Sequence, residues 1–259
     1  MHRFYAPPEQ CHDTSVSLTG AEAYHARCVL RVRRGEEVIV LDGAGREFRC
    51  EVEESRRDQA TLAVVERRCH PEPASRITLL QAVPKGKLME AIIQKATELG
   101  VSRIVPLLTE RVVVQFDDKV AAQKTGKWQL IAQEAIKQCG APWLPRVEPP
   151  LPPGKFLALK ETFELPLIAS LVSGSRPARE YFKAFEAAHR RMPKSVCVWI
   201  GPEGDFAPAE TEAIKAGGAL PITLGPLVLR VETAAIYSLS ILNYELQTPP
   251  AGGLPVSPP

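Results

Sequence analysis

Two short glycine-containing segments near the carboxyl end of the chain are the strongest candidates for chemistry. The first, residues 201–206, follows an apolar run at 196–200, and the second, residues 225–230, follows a run at 220–224. Glycine lets a ligand approach the backbone closely. Because ligands of open α/β sheets bind outside the carboxyl ends of the strands, we expect the two segments to share one binding site.

The side chains of these segments indicate what the ligand could be. Neither segment has the spacing of a phosphate loop or of a dinucleotide-binding loop. Glu203 and Asp205 place negative charge where a phosphate site needs bare N–H groups or cations. Carboxylates beside apolar backbone suit a cationic, partly apolar ligand better. Taken alone, either segment could be an ordinary glycine-proline turn, but two of them on consecutive strand–helix units favour a binding site.

The elements that position these segments alternate between strands and helices. Apolar and β-branched runs predict strands at residues 77–83, 103–108, 165–171, 196–200 and 220–224. Helical spacing of apolar residues predicts helices at 88–99, 121–139, 178–191, 208–216 and 231–247. This alternation predicts an α/β domain with a parallel sheet.

The amino-terminal part of the chain has a different composition. Residues 1–76 contain twelve arginines, thirteen acidic residues and no lysine. Period-two patterning and an Asp-Gly turn predict a mostly β module with one short helix. It could be a structural appendage or an RNA-binding barrel. The predicted domains are a barrel at 1–72, an α/β domain at 73–247 and a disordered, proline-rich tail at 248–259.

The overall composition excludes several classes of protein. The chain is 45% hydrophobic and 24% charged with a formal net charge of +2, which is typical of a soluble globular protein and not of a sequence-blind DNA coat. No run approaches the ~18 apolar residues of a membrane span, and the start lacks the apolar core of a secretory signal. Its six cysteines and five histidines are scattered. We expect a cytoplasmic protein with reduced thiols and no metal.

Three motifs in a fixed order make a family resemblance specific. Residues 95–101 read KATELGV, residues 201–206 read GPEGDF and residues 229–234 read LRVETA. In this order and spacing they resemble the small-subunit (16S) ribosomal RNA methyltransferase E family, which methylates N3 of a uridine in 16S rRNA. Residues 3–5 and 25–31 are similar to that family as well, so the resemblance covers nearly the whole chain.

The resemblance implies a fold, a cofactor and partners. The fold would be a PUA-like RNA-binding β-barrel followed by a SPOUT α/β domain with a parallel sheet and a deep trefoil knot. The cofactor would be S-adenosylmethionine (SAM), and the partners would be 16S rRNA or the small ribosomal subunit and a second copy of the chain. By position, the cofactor site would comprise Leu171, Ile200, Gly201, Pro202, Glu203, Gly204, Leu224, Gly225, Pro226 and Leu229.

The reaction implied by the resemblance suggests two catalytic residues. Uridine N3 must lose a proton, and charge that develops on O2 and O4 must be stabilised. Arg230 is the one cation of the second segment and presents a fork of donors to carbonyl oxygens. Glu232 could be a general base, or an acidic residue favoured by the dipole at the start of the last helix.

Six cationic or titratable residues are predicted to contact RNA through the family resemblance. Two of them have a simpler alternative: His25 could be a packed residue, and Lys95 could form a solvated ion pair with Glu98. The predicted RNA-contacting residues are Arg3, His25, Arg31, Lys85, Lys95 and Arg111.

Four positions depart from the family pattern. Asp205 replaces a glycine, Leu227 an arginine and Val231 a threonine, and Ala141 stands where an arginine is expected. They motivate two alternatives, namely a catalytically impaired RNA- or ribosome-binding protein and a methyltransferase with another RNA target. The last helix is apolar nearly all round, so we expect it in a dimer interface near the SAM site or, alternatively, at the centre of one subunit.

Overall fold

The computed structural model describes residues 1–111, 117–171 and 174–247 and divides the chain into two compact units. The first unit contains Met1–Pro73 together with Ala132–Pro145, and the second contains the remainder. Sequence patterning had placed residues 132–145 in the second domain. The predicted tail at 248–259 lies outside the described residues.

The first unit is built on a five-stranded, mostly antiparallel sheet. Its strand order is β1-β3-β4-β5-β2, and only the β1–β3 pair is parallel. Register shifts within the β4–β5 pair curl the sheet. A short helix, α1 (Gly20–Tyr24), continues as a π-helical turn at His25–Val29. The strands are β1 (His2–Tyr5), β2 (Ser15–Thr19), β3 (Glu37–Leu41), β4 (Arg46–Ser55) and β5 (Gln59–Cys69).

A buried lysine explains why residues 132–145 belong to the first unit. Lys137 is only 6% exposed, and its ammonium lies 2.6 Å from a carboxylate oxygen of Glu22 and 2.7 Å from one of Glu134. Burial lowers the pKa of Lys137, but the hydrogen bonds to Glu134 and Glu22 outweigh it, so the pKa is raised. A paired charge of this kind is costly to separate, which attaches the end of its helix to α1.

The second unit is built on a six-stranded sheet in which every strand pair is parallel. The strand order is β11-β9-β10-β6-β7-β8, which confirms the predicted parallel α/β sheet. Its strands are β6 (Arg76–Ala82), β7 (Arg103–Leu107), β8 (Arg146–Val147), β9 (Leu165–Ala169), β10 (Ser195–Ile200) and β11 (Leu220–Ile222). Its helices are α2 (Leu88–Glu98), α3 (Asp118–Cys139), α4 (Pro153–Ala158), α5 (Ala178–His189), α6 (Pro208–Ala216) and α7 (Val231–Gln247), and α3 runs on into the first unit.

The position of β10 brings several loops to one edge of this sheet. This strand lies between β9 and β6, and its five apolar residues Val196 to Ile200 are almost fully buried, as in a strand covered on both faces. Because all the strands are parallel, the loops that follow β6, β9, β10 and β11 emerge on the same side. The two glycine-containing segments are therefore neighbours.

The last helix is less buried within one chain than its apolar sequence predicts. Val231, Ala235 and Leu239 are buried, whereas Tyr237 is 47% exposed and Tyr244 is 62% exposed. In the described chain, α7 contacts α2, α5 and β10. Part of α7 is therefore uncovered within one chain, and its place in a dimer interface or at the centre of one subunit stays a prediction.

Three further observations describe the surface and the thiols. No helix in the described part of the chain has the length and apolar character needed to cross a membrane. Residues 1–111, 117–171 and 174–247 contain no cluster of three or more metal-ligating side chains. All six cysteines are free; Cys11, Cys50 and Cys197 are buried, and burial raises the pKa of each of these thiols to about 12.

Candidate functional site

A cleft of about 470 Å³ opens where the two glycine-containing segments meet. It lies at the carboxyl ends of β9, β10 and β11 and beside the first turns of α2 and α7. Eight of the ten residues predicted for the cofactor line it; Gly204 and Pro226 are not among its described lining residues. Those eight are Leu171, Ile200, Gly201, Pro202, Glu203, Leu224, Gly225 and Leu229. Arg230 and Glu232 also line the cleft.

Sequence reasoning missed several residues of this cleft. Ala169 ends β9 and Ser170 follows it, and the rule that ligands bind at the carboxyl ends of strands could have found both. Leu88, at the start of α2, could not be predicted from the neighbouring sequence. It lies at the cleft because β6, the strand before α2, pairs with β10. The other unpredicted lining residues are Asp205, Leu227, Val228, Val231 and Ala234.

Close packing shapes the first wall of the cleft. A Cβ atom on Gly201 would lie 2.8 Å from Asp205 Oδ1 and 3.1 Å from the backbone nitrogen of Phe206, so a larger residue there would force this segment to shift. Asp205 has a φ of +60°, a left-handed conformation that aspartate tolerates better than most residues. Its carboxylate accepts a hydrogen bond of 2.7 Å from the Phe206 N–H. This local bond explains how Asp205 can occupy a position at which the family pattern has glycine.

The same wall is tied to the loops that follow β6 and β7. The backbone N–H of Lys85 donates a hydrogen bond of 2.9 Å to Glu203 Oε1. The guanidinium of Arg111 donates to the carbonyl oxygen of Gly204. Arg111, which was predicted to contact RNA, is thus engaged with the loop, while the side chain of Lys85 stays exposed.

The second wall has fewer contacts. Gly225 has a φ of +107°, and its N–H donates to Thr223 Oγ1 at 3.2 Å. Leu227 is 72% exposed and Val228 is 79% exposed. Arg230 is exposed as well, and its carbonyl oxygen accepts the first helical hydrogen bond of α7. The side chain of Arg230 therefore remains available to a ligand.

The charges that line the cleft favour a cation. Glu203, Asp205 and Glu232 contribute three carboxylates, and Arg230 contributes one guanidinium. Glu232 lies in the first turn of α7, where the helix dipole stabilises an ionised carboxylate. Most of the other lining side chains are apolar. This combination matches the cationic, partly apolar ligand that the sequence indicated.

The remaining residues predicted to contact RNA fall into both units. In the first unit, an Arg3 nitrogen donates to the Gln138 carbonyl oxygen at 3.4 Å, and the ring of His25 meets that of Phe4 edge-on with 6.1 Å between centroids. Arg31 has a φ of +56° and is exposed. In the second unit, Lys95 and Glu98 form the ion pair considered as the alternative, with nitrogen and oxygen 2.9 Å apart.

Family models and known proteins match this architecture. Residues 70–243 match the model described as an RNA methyltransferase domain, and residues 18–65 match that of an RNA methyltransferase PUA domain. The ribosomal RNA small subunit methyltransferase E of Bacillus subtilis (strain 168) is 32% identical over 234 residues, which is 89% of this chain and 90% of that protein.

Two solved structures are similar along nearly their whole length. A methyltransferase from Legionella pneumophila, in complex with the bound cofactor SAM, is 33% identical with a TM-score of 0.83 and covers 93% of this chain and 96% of its own. A ribosomal RNA small subunit methyltransferase E from Neisseria gonorrhoeae, bound to S-adenosyl methionine, is 27% identical with a TM-score of 0.80, covering 94% and 97%.

The resemblance carried by the three sequence motifs is thereby confirmed. The matched model spans most of the chain, and the relative from Bacillus subtilis aligns over nearly its full length. The chain therefore belongs to the ribosomal RNA small subunit methyltransferase E family of RNA methyltransferases.

Proposed function

We propose that this protein transfers the methyl group of SAM to N3 of a uridine in the 16S rRNA of the small ribosomal subunit. The observation that carries the proposal is the cleft between the two glycine-containing segments. Its walls are mostly apolar, its glycines let a ligand approach the backbone, and its carboxylates outnumber its single guanidinium. The family supplies the reaction class, RNA methylation.

The residues of the cleft fit SAM. When bound, SAM supplies a methyl group on a positively charged sulfonium. Leu171, Ile200 and Leu229 offer apolar surface to its adenosine, and Gly201 lets the ligand approach the backbone at a point where a Cβ atom would crowd Asp205 and Phe206. Asp205 and Glu232 place negative charge near the positive charges of the ligand. The proposed cofactor site therefore consists of the eight predicted residues that line the cleft.

Arg230 and Glu232 are the proposed catalytic residues, because both line the same cleft. The guanidinium of Arg230 can donate hydrogen bonds to a uracil carbonyl oxygen and so stabilise the charge that develops on O2 or O4. Glu232 offers a carboxylate oxygen to receive the N3 proton. Holding the uridine N3 in line with the methyl group lowers the activation barrier further, and such positioning is worth roughly 7–11 kcal/mol in favourable systems.

The finer features of the fold are part of the same proposal. We assign to the curled sheet of the first unit the PUA-like barrel, with Arg3, His25 and Arg31 facing RNA. The second unit would contain the SPOUT trefoil knot and form the homodimer through α7 and the second segment. Leu227 and Tyr244 support the dimer, because exposed apolar side chains of this size beside a functional cleft mark interaction surfaces.

Two experiments test the proposal. Calorimetry with SAM is expected to show one site per chain; an absence of binding at physiological SAM concentrations would leave only the RNA- or ribosome-binding alternative. Mass mapping of 16S rRNA from a deletion strain is expected to show the loss of one N3-methyluridine. The loss of a different modified nucleoside would assign another target.

A further inference from the structure

Glu203 lines the cleft, yet its carboxylate binds the segment that follows the neighbouring strand, β6. Glu203 Oε1 accepts a hydrogen bond of 2.9 Å from the backbone N–H of Lys85, 118 residues earlier in the chain. Glu203 follows β10 and Lys85 follows β6, and these two strands are neighbours in the sheet. The bond thus joins the cofactor wall to the β6–α2 segment, residues 83–87.

The β6–α2 segment presents two cations at the edge of the cleft. Lys85 and Lys87 are both exposed, and within the described chain neither ammonium forms an ion pair or a hydrogen bond with a carboxylate. Gly86 between them has a φ of +69°, which sets a tight turn. Leu88, the next residue, lines the cleft itself. The direction of both lysines therefore depends on how this short turn is held.

The described backbone contacts of the turn are few. The N–H of Val83 donates to Leu107 at its start, and the carbonyl oxygen of Lys87 accepts from Glu90 at its end. Between these two points, the bond from Lys85 to Glu203 is the one described hydrogen bond that reaches another part of the sheet. A side-chain oxygen that accepts the Lys85 N–H joins this turn to the segment after the neighbouring strand, so it can fix the position of the turn.

We infer that Glu203 is a positioning residue for RNA: its carboxylate holds the β6–α2 segment so that Lys85 and Lys87 meet the phosphates of the RNA substrate beside the cofactor cleft. The inference rests on the proposed function, in which the RNA enters this cleft. Lysine neutralises phosphate as a point charge, and each phosphate contact releases counterions, which makes binding depend on salt. Glu203 therefore acts on RNA affinity through the backbone of Lys85 and not through its own charge.

Replacing Glu203 with glutamine or with alanine separates its role as a hydrogen-bond acceptor from the effect of its charge. E203Q keeps an oxygen that can accept from the Lys85 N–H but removes the charge, whereas E203A removes both. E212A is the matched control, because Glu212 is a highly exposed glutamate of α6 in the same unit, and its ion pair with Lys215 spans 3.4 Å. Each variant is titrated with a 16S rRNA transcript at several salt concentrations and, separately, with SAM.

The positioning role predicts a specific pattern of affinities. E203A weakens RNA binding about threefold to tenfold, E203Q recovers most of that loss, and SAM affinity changes less than RNA affinity in both. K85A/K87A lowers the slope of log affinity against log salt by about 1.5, and adding E203A to it causes no further loss. The Lys85 amide exchanges hydrogen faster in E203A than in the wild type.

Other outcomes overturn the inference. Equal losses of SAM affinity in E203Q and E203A would mean that Glu203 acts through its charge on the cofactor. Unchanged RNA affinity in E203A, or an additive loss in the triple variant, would mean that the lysines do not depend on Glu203. A wild-type protein that binds no SAM would overturn the proposed function, while the RNA titrations and the exchange of the Lys85 amide would still decide the role of Glu203.

Discussion

The two glycine-containing segments form opposite walls of one cleft, and they are held very differently. Residues 201–206 are connected to the loops after β6 and β7 through Glu203 and Gly204, and Asp205 adds a hydrogen bond within the segment. Residues 225–230 have the single turn at Gly225, and Leu227 and Val228 are largely exposed. The first wall is therefore fixed by the chain itself, whereas we expect the second to gain contacts from a ligand or a second subunit.

Replacing Arg230 in the open wall is expected to have the largest effect. Arg230→Ala removes the proposed charge-stabilising donor, so turnover should fall about 100-fold or more while SAM affinity stays nearly intact. Single-turnover methylation and calorimetry measure the two quantities. Arg146→Ala, which removes an exposed guanidinium paired with Glu148, is the control. An equal loss of turnover and SAM affinity would place Arg230 in the cofactor pocket instead.

Filling the fixed wall is expected to act on the cofactor. Gly201→Ala puts a Cβ against Asp205 and the backbone of Phe206, which cannot move away easily, so SAM affinity should fall about tenfold. Gly154→Ala is a matched control, because its Cβ would meet no atom within 4 Å. A Gly201→Ala protein that binds SAM normally would show that the first wall is not fixed.

A charge placed in the open wall tests whether a second subunit covers it. Leu227→Asp should weaken the proposed dimer several-fold, since a buried unpaired carboxylate is unfavourable in an apolar contact. Light scattering after size-exclusion chromatography gives the mass at a series of concentrations. Leu159→Asp changes a leucine that is 60% exposed directly after the end of α4, and it should have no effect on the dimer. A wild-type monomer at all concentrations would contradict the dimer.

Restoring the family glycine in the fixed wall should change little. Asp205→Gly relieves a left-handed aspartate but loses its hydrogen bond to the Phe206 N–H, and these opposing effects are each about 1 kcal/mol. Urea unfolding should therefore differ from the wild type by less than about 1 kcal/mol. A tenfold loss of SAM affinity in this variant would instead assign Asp205 a direct contact with the ligand.

A titration at the opposite end of the sheet separates fold stability from effects on the cleft. Hydrogen bonds from Arg191, and then from the Lys194 N–H, lower the pKa of Glu164 to about 2. Because the folded pKa lies below the usual 4.5, this stabilisation is complete above pH 4.5 and is lost as the pH falls toward 2. Glu164→Gln should flatten the stability profile in that window without changing SAM affinity at neutral pH. An unchanged profile would show that the pair contributes nothing.

Local patterns predicted most elements of the second unit but not all of them. Strands β6, β7, β9 and β10 are buried apolar runs, and α2 and α6 have clear helical spacing, so their positions follow from local sequence. Strand β8 has two residues and α4 has six, too few to show a period. In the first unit, β1 has four residues and pairs in parallel with β3, far along the chain, so no local pattern marks it.

The candidate site was predicted where its signal is local. Glycines after buried strands, together with Glu203, Asp205 and Arg230, identified both walls and the charge of the ligand. Leu88 could not be found in this way, because it lines the cleft only through strand order. Trp143 of the first unit could not be placed from the sequence either, because its contact is with a distant turn. It packs so closely on Gly45 that a Cβ atom there would lie 2.3 Å from its ring.

The sequence alone determined that strands and helices alternate, that two glycine-containing segments follow strands, and which family the three motifs resemble. Periodicity and turn chemistry are properties of neighbouring residues, so they can be read directly. The tertiary structure decided that β10 lies between β9 and β6, that Glu203 meets Lys85, and that Lys137 joins the end of α3 to α1. Such contacts depend on pairings between distant segments, and those pairings leave no mark in the residues on either side.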